Sequence, residues 1–372
     1  MRRLLVVTNI PTPYRVPLFN VLDAALRGAG WAMEVVFGSR GNTRRKWRID
    51  DDAFRFPHTF LESRNLRLGP DRIVNTYAGL RGILEDRRPD GIVCTGYSAG
   101  TMAALRHGRR RGVPVAIWSG AVPRAAEQQW WRRIQRRWLV RRADRFLAYG
   151  TEAASYLETL GAPSPRVHIA WNTVDTARFE GLPGARAPGR GEPLRLVTVG
   201  YLERGKRIDL ALRAVAQARA RGLDVEMEVV GDGTARAALE AQSRELGLNG
   251  HVRFPGYREQ GALRESLAGA HAFVFPTSHD IWGLVLVEAM AAGLPCLAST
   301  RAGATRDLVV EGETGFALDF EDTGAVVDRL SRLRDEPGRV ASMGAAGRAR
   351  IRDRFTRAHS SRGWLEMTER WS

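Results

Sequence analysis

The feature that most narrows the fold is an alternation, repeated in two series, of short β-rich apolar runs with stretches of helical period. In the first series MRRLLVVTNI reads as a strand, PTPYRVP as a proline-punctuated loop, LFNVLDAALRGAG as a helix closed by glycine, and WAMEVVFGS as a second strand. DGIVCTGYSAG, PVAIWSG, DRFLAYG and RVHIAWN continue as strands, with helical TMAALRHGRRRG and TEAASYLETLG among them. Strands separated by helices pair in parallel, and such a sheet is covered on both faces. EGLPGARAPGRGEP, residues 180–193, breaks the pattern with glycine, proline and arginine. A second series starts at LRLVTVGYLERGKR and runs through VEMEVVGDG, HVRFPG and AHAFVFPTS. The expectation is an α/β chain of two open doubly wound sheets facing a central cleft, with ligands at the carboxyl ends of the strands. Residues 1–182 form the first domain, 183–193 the linker and 194–355 the second domain, and a helix over 356–372 reaches back to the first domain.

A chain of 372 residues, 44% apolar, is long enough for two such cores. The net charge of +16 is unevenly spread: 30 Lys and Arg stand against 16 Asp and Glu in residues 1–180, and 27 against 25 in residues 181–372. A one-sided positive field attracts phosphates, anionic lipid or nucleic acid without choosing among them. No apolar stretch is long enough to cross a bilayer, and MRRLLVVTNI runs into PTPYR without a signal-peptide pattern, so the expected location is cytoplasmic, or peripheral on the inner face of the membrane. Cys94 and Cys296 stand in apolar surroundings with no CxxC spacing, as structural thiols.

The chemistry concentrates in PTSHDIWGLVLVEAMAAGLPCLAST, residues 276–300. Asp280 and Glu288 flank Trp282 and Gly283 in an otherwise apolar run, where an unpaired buried carboxylate is costly. Gly283 at a helix start lets the backbone approach a ligand, and the free N–H groups there suit an anion such as a diphosphate. Glu288, further along the helix, could accept hydrogen bonds from ribose hydroxyls, and Asp280 could reach a sugar beyond the phosphates. The competing reading is a helix-capping aspartate plus a helix acid paired with arginine. VTVGYLERGKRIDLALRA crowds Arg204, Lys206 and Arg207 between a strand and a helix, which suits a phosphate or simply a solvated loop. VVGDG adds Gly231 and Gly233 at another strand end.

In the order VGYLERGKR, VVGDG, VRFPGY, DIWGLVLVEAMAAGLP and STRAGATRDLVVEGETGFAL, the second half resembles the donor domain of the retaining glycosyltransferases of family 4, the group 1 glycosyltransferases. The first half resembles them more loosely in TNIPTPYRVPLFNVL, RRADRFLAYG and WNTVDTARF. The resemblance implies the GT-B architecture of two Rossmann-like domains and transfer of a sugar from a nucleotide diphosphate sugar to a hydroxyl acceptor on a glycan, a lipid-linked molecule or a small natural product. It also implies retention of configuration, with no metal or other cofactor. Lys206 matches the lysine that neutralises the diphosphate, Glu288 the ribose-binding glutamate, and Asp280 replaces the motif's first glutamate. Lys206 and Asp280 are thus the implied catalytic pair. Arg204, Gly231, Trp282 and the backbone of Gly283, Leu284 and Val285 complete the implied donor set. Tyr201 stands where the family often has arginine, and the first-domain histidine of many relatives has no clear counterpart near IWSGAVPR.

On the acceptor side, Tyr14 and Arg15 follow the first strand and Tyr97 follows DGIVCTG, so all three could face the cleft; tyrosine packing and a solvated arginine are the simpler account. WWRRIQRRWLVRRADR, residues 130–145, places Trp130 or Trp131, Ile134, Trp138 and more loosely Leu139 on one helical face among arginines. That face fits an anionic membrane surface, or the packing side of a helix whose arginines meet solvent. Asp50, Asp51 and Asp52 could serve a metal-dependent transferase but follow a charged run without a flanking strand. The alternative functions are a nucleotide-sugar epimerase of similar fold and a basic nucleic-acid- or membrane-binding protein, although no helix-turn-helix, zinc-finger or RNP pattern is present.

Overall fold

In the computed structural model the described residues are 1–41, 49–62, 65–67, 73–123 and 130–371. They form two units, Met1–Asp175 together with Thr356–Ser372, and Thr176–Phe355.

The first unit carries strands β1 (Arg2–Thr8), β2 (Trp31–Phe37), β3 (His58–Phe60), a small antiparallel pair β4 (Asn65–Arg67) and β5 (Ile73–Asn75), then β6 (Gly91–Thr95), β7 (Val115–Ser119), β8 (Arg145–Ala148) and β9 (Val167–Ile169). Its helices include α1 (Arg15–Gly28), α2 (Leu80–Arg87), α3 (Ala99–Arg111), α4 (Trp130–Val140) and α5 (Thr151–Thr159). The main sheet is parallel, in the order β3-β2-β1-β6-β7-β8-β9. Residues 4–8 of β1 are all buried, as a strand covered on both faces requires. Ser98 starts α3 with a capping box, its hydroxyl accepting from the Thr101 amide.

The second unit holds β10 (Leu194–Val199), β11 (Val225–Val230), β12 (Val252–Gly256), β13 (Ala272–Phe275), β14 (Cys296–Ser299) and β15 (Gly315–Leu318). Helices α6 (Ile208–Ala220), α7 (Arg236–Glu245), α8 (Gln260–Ala268), α9 (Leu284–Ala291), α10 (Thr305–Leu308), α11 (Thr323–Asp335) and α12 (Pro337–Arg354) accompany a parallel sheet ordered β12-β11-β10-β13-β14-β15. Cys94 and Cys296 are buried free thiols whose pKa values burial drives far up.

The last helix, α13 (Arg357–Glu369), packs on α1, β8 and β9 of the first unit. Trp364 is fully buried, edge-to-face on Trp118, and Arg357 donates to Asp175 at 2.7 Å.

Two expectations change. The division falls after Asp175, and the stretch 183–193 read as a linker belongs to the second unit. It is tied into that unit: the Ala185 amide donates to the Gly293 carbonyl, Arg186 pairs twice with Glu192 at 2.7 Å, and Arg334 donates to the Glu192 carbonyl. Helix α4 is buried through Leu139 and Val140, while Trp130, Trp131, Ile134 and Trp138 are exposed. Leu139 therefore leaves the tryptophan face, and the reading in which the tryptophans pack inward does not hold, because aliphatic residues occupy the inner positions. Among the described residues no helix is long and apolar enough to cross a membrane.

Candidate functional site

The strand order of the second sheet reverses between β10 and β13, and an open α/β sheet binds ligands in the crevice at such a switch point. The loops after these two strands are tied together. The amide and hydroxyl of Ser278 each donate to the Gly205 carbonyl at 2.9 Å, and the Thr277 hydroxyl reaches the same oxygen at 3.2 Å. Across this junction the Lys206 ammonium donates to Asp280 at 2.5 Å and lies 5.8 Å from the Phe275 ring centroid. Lys206 keeps 23% of its side-chain surface exposed and Asp280 19%, so the pair is reachable from solvent.

Asp280 is held from both sides. Its second carboxylate oxygen accepts from the Trp282 amide at 3.1 Å, and its carbonyl accepts from the Gly303 amide at 3.0 Å in the loop after β14. Gly283 then starts α9 with φ 92°, and a Cβ there would stand 2.7 Å from Phe275. Glycine satisfies both constraints. The first amides of α9, on Leu284 and Val285, precede any intrahelical acceptor and carry the positive end of the helix dipole.

Glu288 lies one turn into α9 and is partly accessible. Burial in apolar surroundings raises its carboxyl to about 7, and the nearby charge of Arg178, which lowers it, offsets that only in part. Arg178 stands on the short turn Thr176–Phe179, which packs against α9. The loop cations divide: Arg207 is committed to Asp209 and Glu321, whereas exposed Arg204 has no ion pair among the described residues.

Two of the expected donor residues also have packing roles. The Gly231 amide already donates to the Gly256 carbonyl, and a Cβ on Gly231 would stand 1.8 Å from the Gly200 carbonyl oxygen. That glycine is there because the loops after β10 and β11 pack backbone against backbone. Trp282 is 2% exposed, so its ring belongs to the core beneath the loop and its backbone positions Asp280. Phe275, Thr277, Ser278 and Arg178 join the site without having stood out in the sequence; the polar pair in FPTS, directly after a strand, is the available signal for Thr277 and Ser278.

The first sheet has its own switch point, between β1 and β6. Tyr14 and Arg15 follow β1 and Tyr97 follows β6, so all three stand at that edge. Arg15 is partly accessible but already engaged: it donates to the Thr8 hydroxyl at 2.7 Å and to the Tyr149 hydroxyl at 2.5 Å, and lies 5.0 Å over the Trp118 ring. Burial pushes the Tyr97 hydroxyl up to about 12, and the Arg136 guanidinium lies 5.1 Å from its ring centroid. Asp51 pairs with Arg40 on an exposed turn that includes Asp52, and among the described residues no cluster could hold a metal ion.

Comparison with known proteins agrees with this architecture. Residues 186–350 match the family described as glycosyl transferases group 1, and residues 20–173 match the glycosyl transferase 4-like domain. Glycogen synthase of Mycobacterium tuberculosis is 28% identical over 59% of this chain and 52% of its own length. A GDP-mannose-dependent alpha-(1-6)-phosphatidylinositol monomannoside mannosyltransferase of Mycolicibacterium smegmatis is 34% identical over 47% of this chain and 49% of its own. The chain thus spans about half the length of these curated relatives. The crystal structure of Anabaena Alr3699/HepE in complex with UDP superposes with a TM-score of 0.77 at 16% identity, covering all of both chains, which is a likeness of fold.

Proposed function

The chain belongs to the group 1 glycosyltransferases, and from that premise we propose that it moves a sugar from a nucleoside diphosphate sugar to a hydroxyl acceptor, with retention of configuration and without a metal ion. The observation that carries this reading is the Lys206–Asp280 contact at a switch point, beside the amino end of α9.

In this reading the diphosphate lies against Lys206 and the amides of Gly283, Leu284 and Val285, with Arg204 free to add a second cation. The ribose hydroxyls donate to Glu288, and Asp280 faces the transferred sugar. As the bond from the anomeric carbon to the diphosphate oxygen breaks, charge grows on that oxygen, where Lys206 and the helix amides stabilise it. The acceptor oxygen bonds to the anomeric carbon, and its proton passes to the leaving diphosphate oxygen. No side-chain base is required, and the local cations take the part a metal would otherwise play. We place the acceptor at the switch point of the first sheet, by Tyr14, Arg15 and Tyr97. A lipid-borne acceptor, as the mannosyltransferase relative's name specifies for that protein, is the class favoured here.

The test is thermal denaturation with UDP, GDP, ADP and TDP and their sugars in EDTA, on the natural chain and on Lys206→Ala and Glu288→Ala. One nucleotide family should raise the midpoint, by roughly 2.7 kcal/mol of stabilisation at a hundredfold excess over Kd. Both substitutions should reduce the effect. No response to any nucleotide would overturn the proposal.

A further inference from the structure

Helix α4 is built inside out. Trp130 is 74% exposed, Ile134 59%, Trp131 42% and Trp138 41%, and at 100° per residue the four fall within about a third of the helix circumference. Leu139 and Val140 make the buried side. Between Trp130 and Ala143 there are six arginines and no acid. Arg133, Arg137 and Arg141 are exposed, and Arg142 lies 3.9 Å over the Trp138 ring. Arg136 turns inward, over the rings of Tyr97 and Tyr156.

We propose that this outward face docks the first unit on an anionic phospholipid bilayer. Three tryptophans and an isoleucine held in water are unfavourable, and nothing in the packing of the unit's described residues requires them outside. Lying in the plane of a bilayer, they bury in the acyl boundary, while the arginines extend their stems along it and keep their heads at the phosphates. A second copy of the chain fits worse, because a two-fold contact through this face would set the same arginines against each other. A stripe of rings along the helix axis flanked by cations matches a lipid interface better than a strand of nucleic acid, whose phosphates and bases alternate. Arg136, by its contact with Tyr97, fixes α4 at the carboxyl edge of the first sheet. Docking there therefore brings lipid to the edge where the acceptor is proposed to bind; that last step alone rests on the transfer reading.

The test is sedimentation of the full chain with vesicles of phosphatidylglycerol and phosphatidylcholine in equal parts, against phosphatidylcholine alone. The chain should pellet with the mixed vesicles and be released by high salt. Brominated phosphatidylglycerol should quench its tryptophan fluorescence. The variant Trp130→Ser/Ile134→Ser/Trp138→Ser should lose pelleting and quenching at an unchanged melting midpoint, and Arg133→Gln/Arg137→Gln should weaken binding roughly fivefold for each charge removed. Four results would overturn the proposal: no binding by the natural chain, equal binding by the triple variant, a dimer of the natural chain that the triple variant loses, or single-stranded DNA that displaces the vesicles. Vesicle binding needs no nucleotide, so nucleotide stabilisation without vesicle binding would end the docking proposal and leave the transfer reading standing, and the reverse pair would do the opposite.

Discussion

Lys206 and Asp280, 74 positions apart in the chain, meet at 2.5 Å, so the cation at the second switch point is already held by a carboxylate. A diphosphate must share or displace that partner. Asp280→Asn should therefore leave nucleoside diphosphate affinity equal or a few-fold higher, while transfer falls by about a hundredfold or more. Titration calorimetry against initial rates separates the two effects; a parallel loss of both would show that Asp280 serves only to support the loop.

Lys206→Ala removes a charge-assisted contact of roughly 1.5–3 kcal/mol, so Kd for the nucleoside diphosphate should rise about ten- to a hundredfold. The pair is largely buried, so the variant leaves the Asp280 carboxylate with the Trp282 amide but without its cation, at a cost in fold stability of about 1–3 kcal/mol. Calorimetry and a denaturant titration check the two figures.

The raised carboxyl of Glu288 makes pH a probe. The unfolded group ionises near 4.5 and the folded one near 7, so between these values the unfolded state has lost a proton that the folded state keeps. This contribution to stability is therefore greatest below 4.5 and is lost as the pH rises to 7, by at most about 3 kcal/mol. Glu288→Gln should flatten the profile in that window, read by urea denaturation at several pH values. Ribose hydroxyls donating to the ionised group would make nucleotide affinity rise over the same range, and the glutamine variant should lose that dependence.

Gly283→Ala places a Cβ 2.7 Å from Phe275 at φ 92°. The strain should lower stability by about 1–3 kcal/mol, and nucleotide binding should fall with it as the first turn of α9 shifts. A melting curve with and without the nucleotide reads both.

Trp364→Ala empties a fully buried site against Trp118 and should destabilise the first unit by about 3–5 kcal/mol, leaving nucleotide affinity at the second unit unchanged when measured well below the midpoint. Calorimetric unfolding with a nucleotide titration checks the separation.

The sequence alone determined the two parallel sheets, because apolar runs and helical periods are local patterns, and it picked out Lys206, Asp280, Gly283 and Glu288, because strand-end glycines and charges stand out from the apolar text around them. Other features depended on tertiary packing. Whether Lys206 met a carboxylate, and which one, depended on two loops that only the strand order brings together. Gly231 and Trp282 stand out in the sequence by their place in loops at strand ends, and only the fold shows how each packs, the one backbone to backbone and the other in the core. On α4 the period reveals an apolar stripe yet not the side that faces the sheet, since aliphatic Leu139 and Val140 compete with the tryptophans for burial and the surrounding unit decides between them.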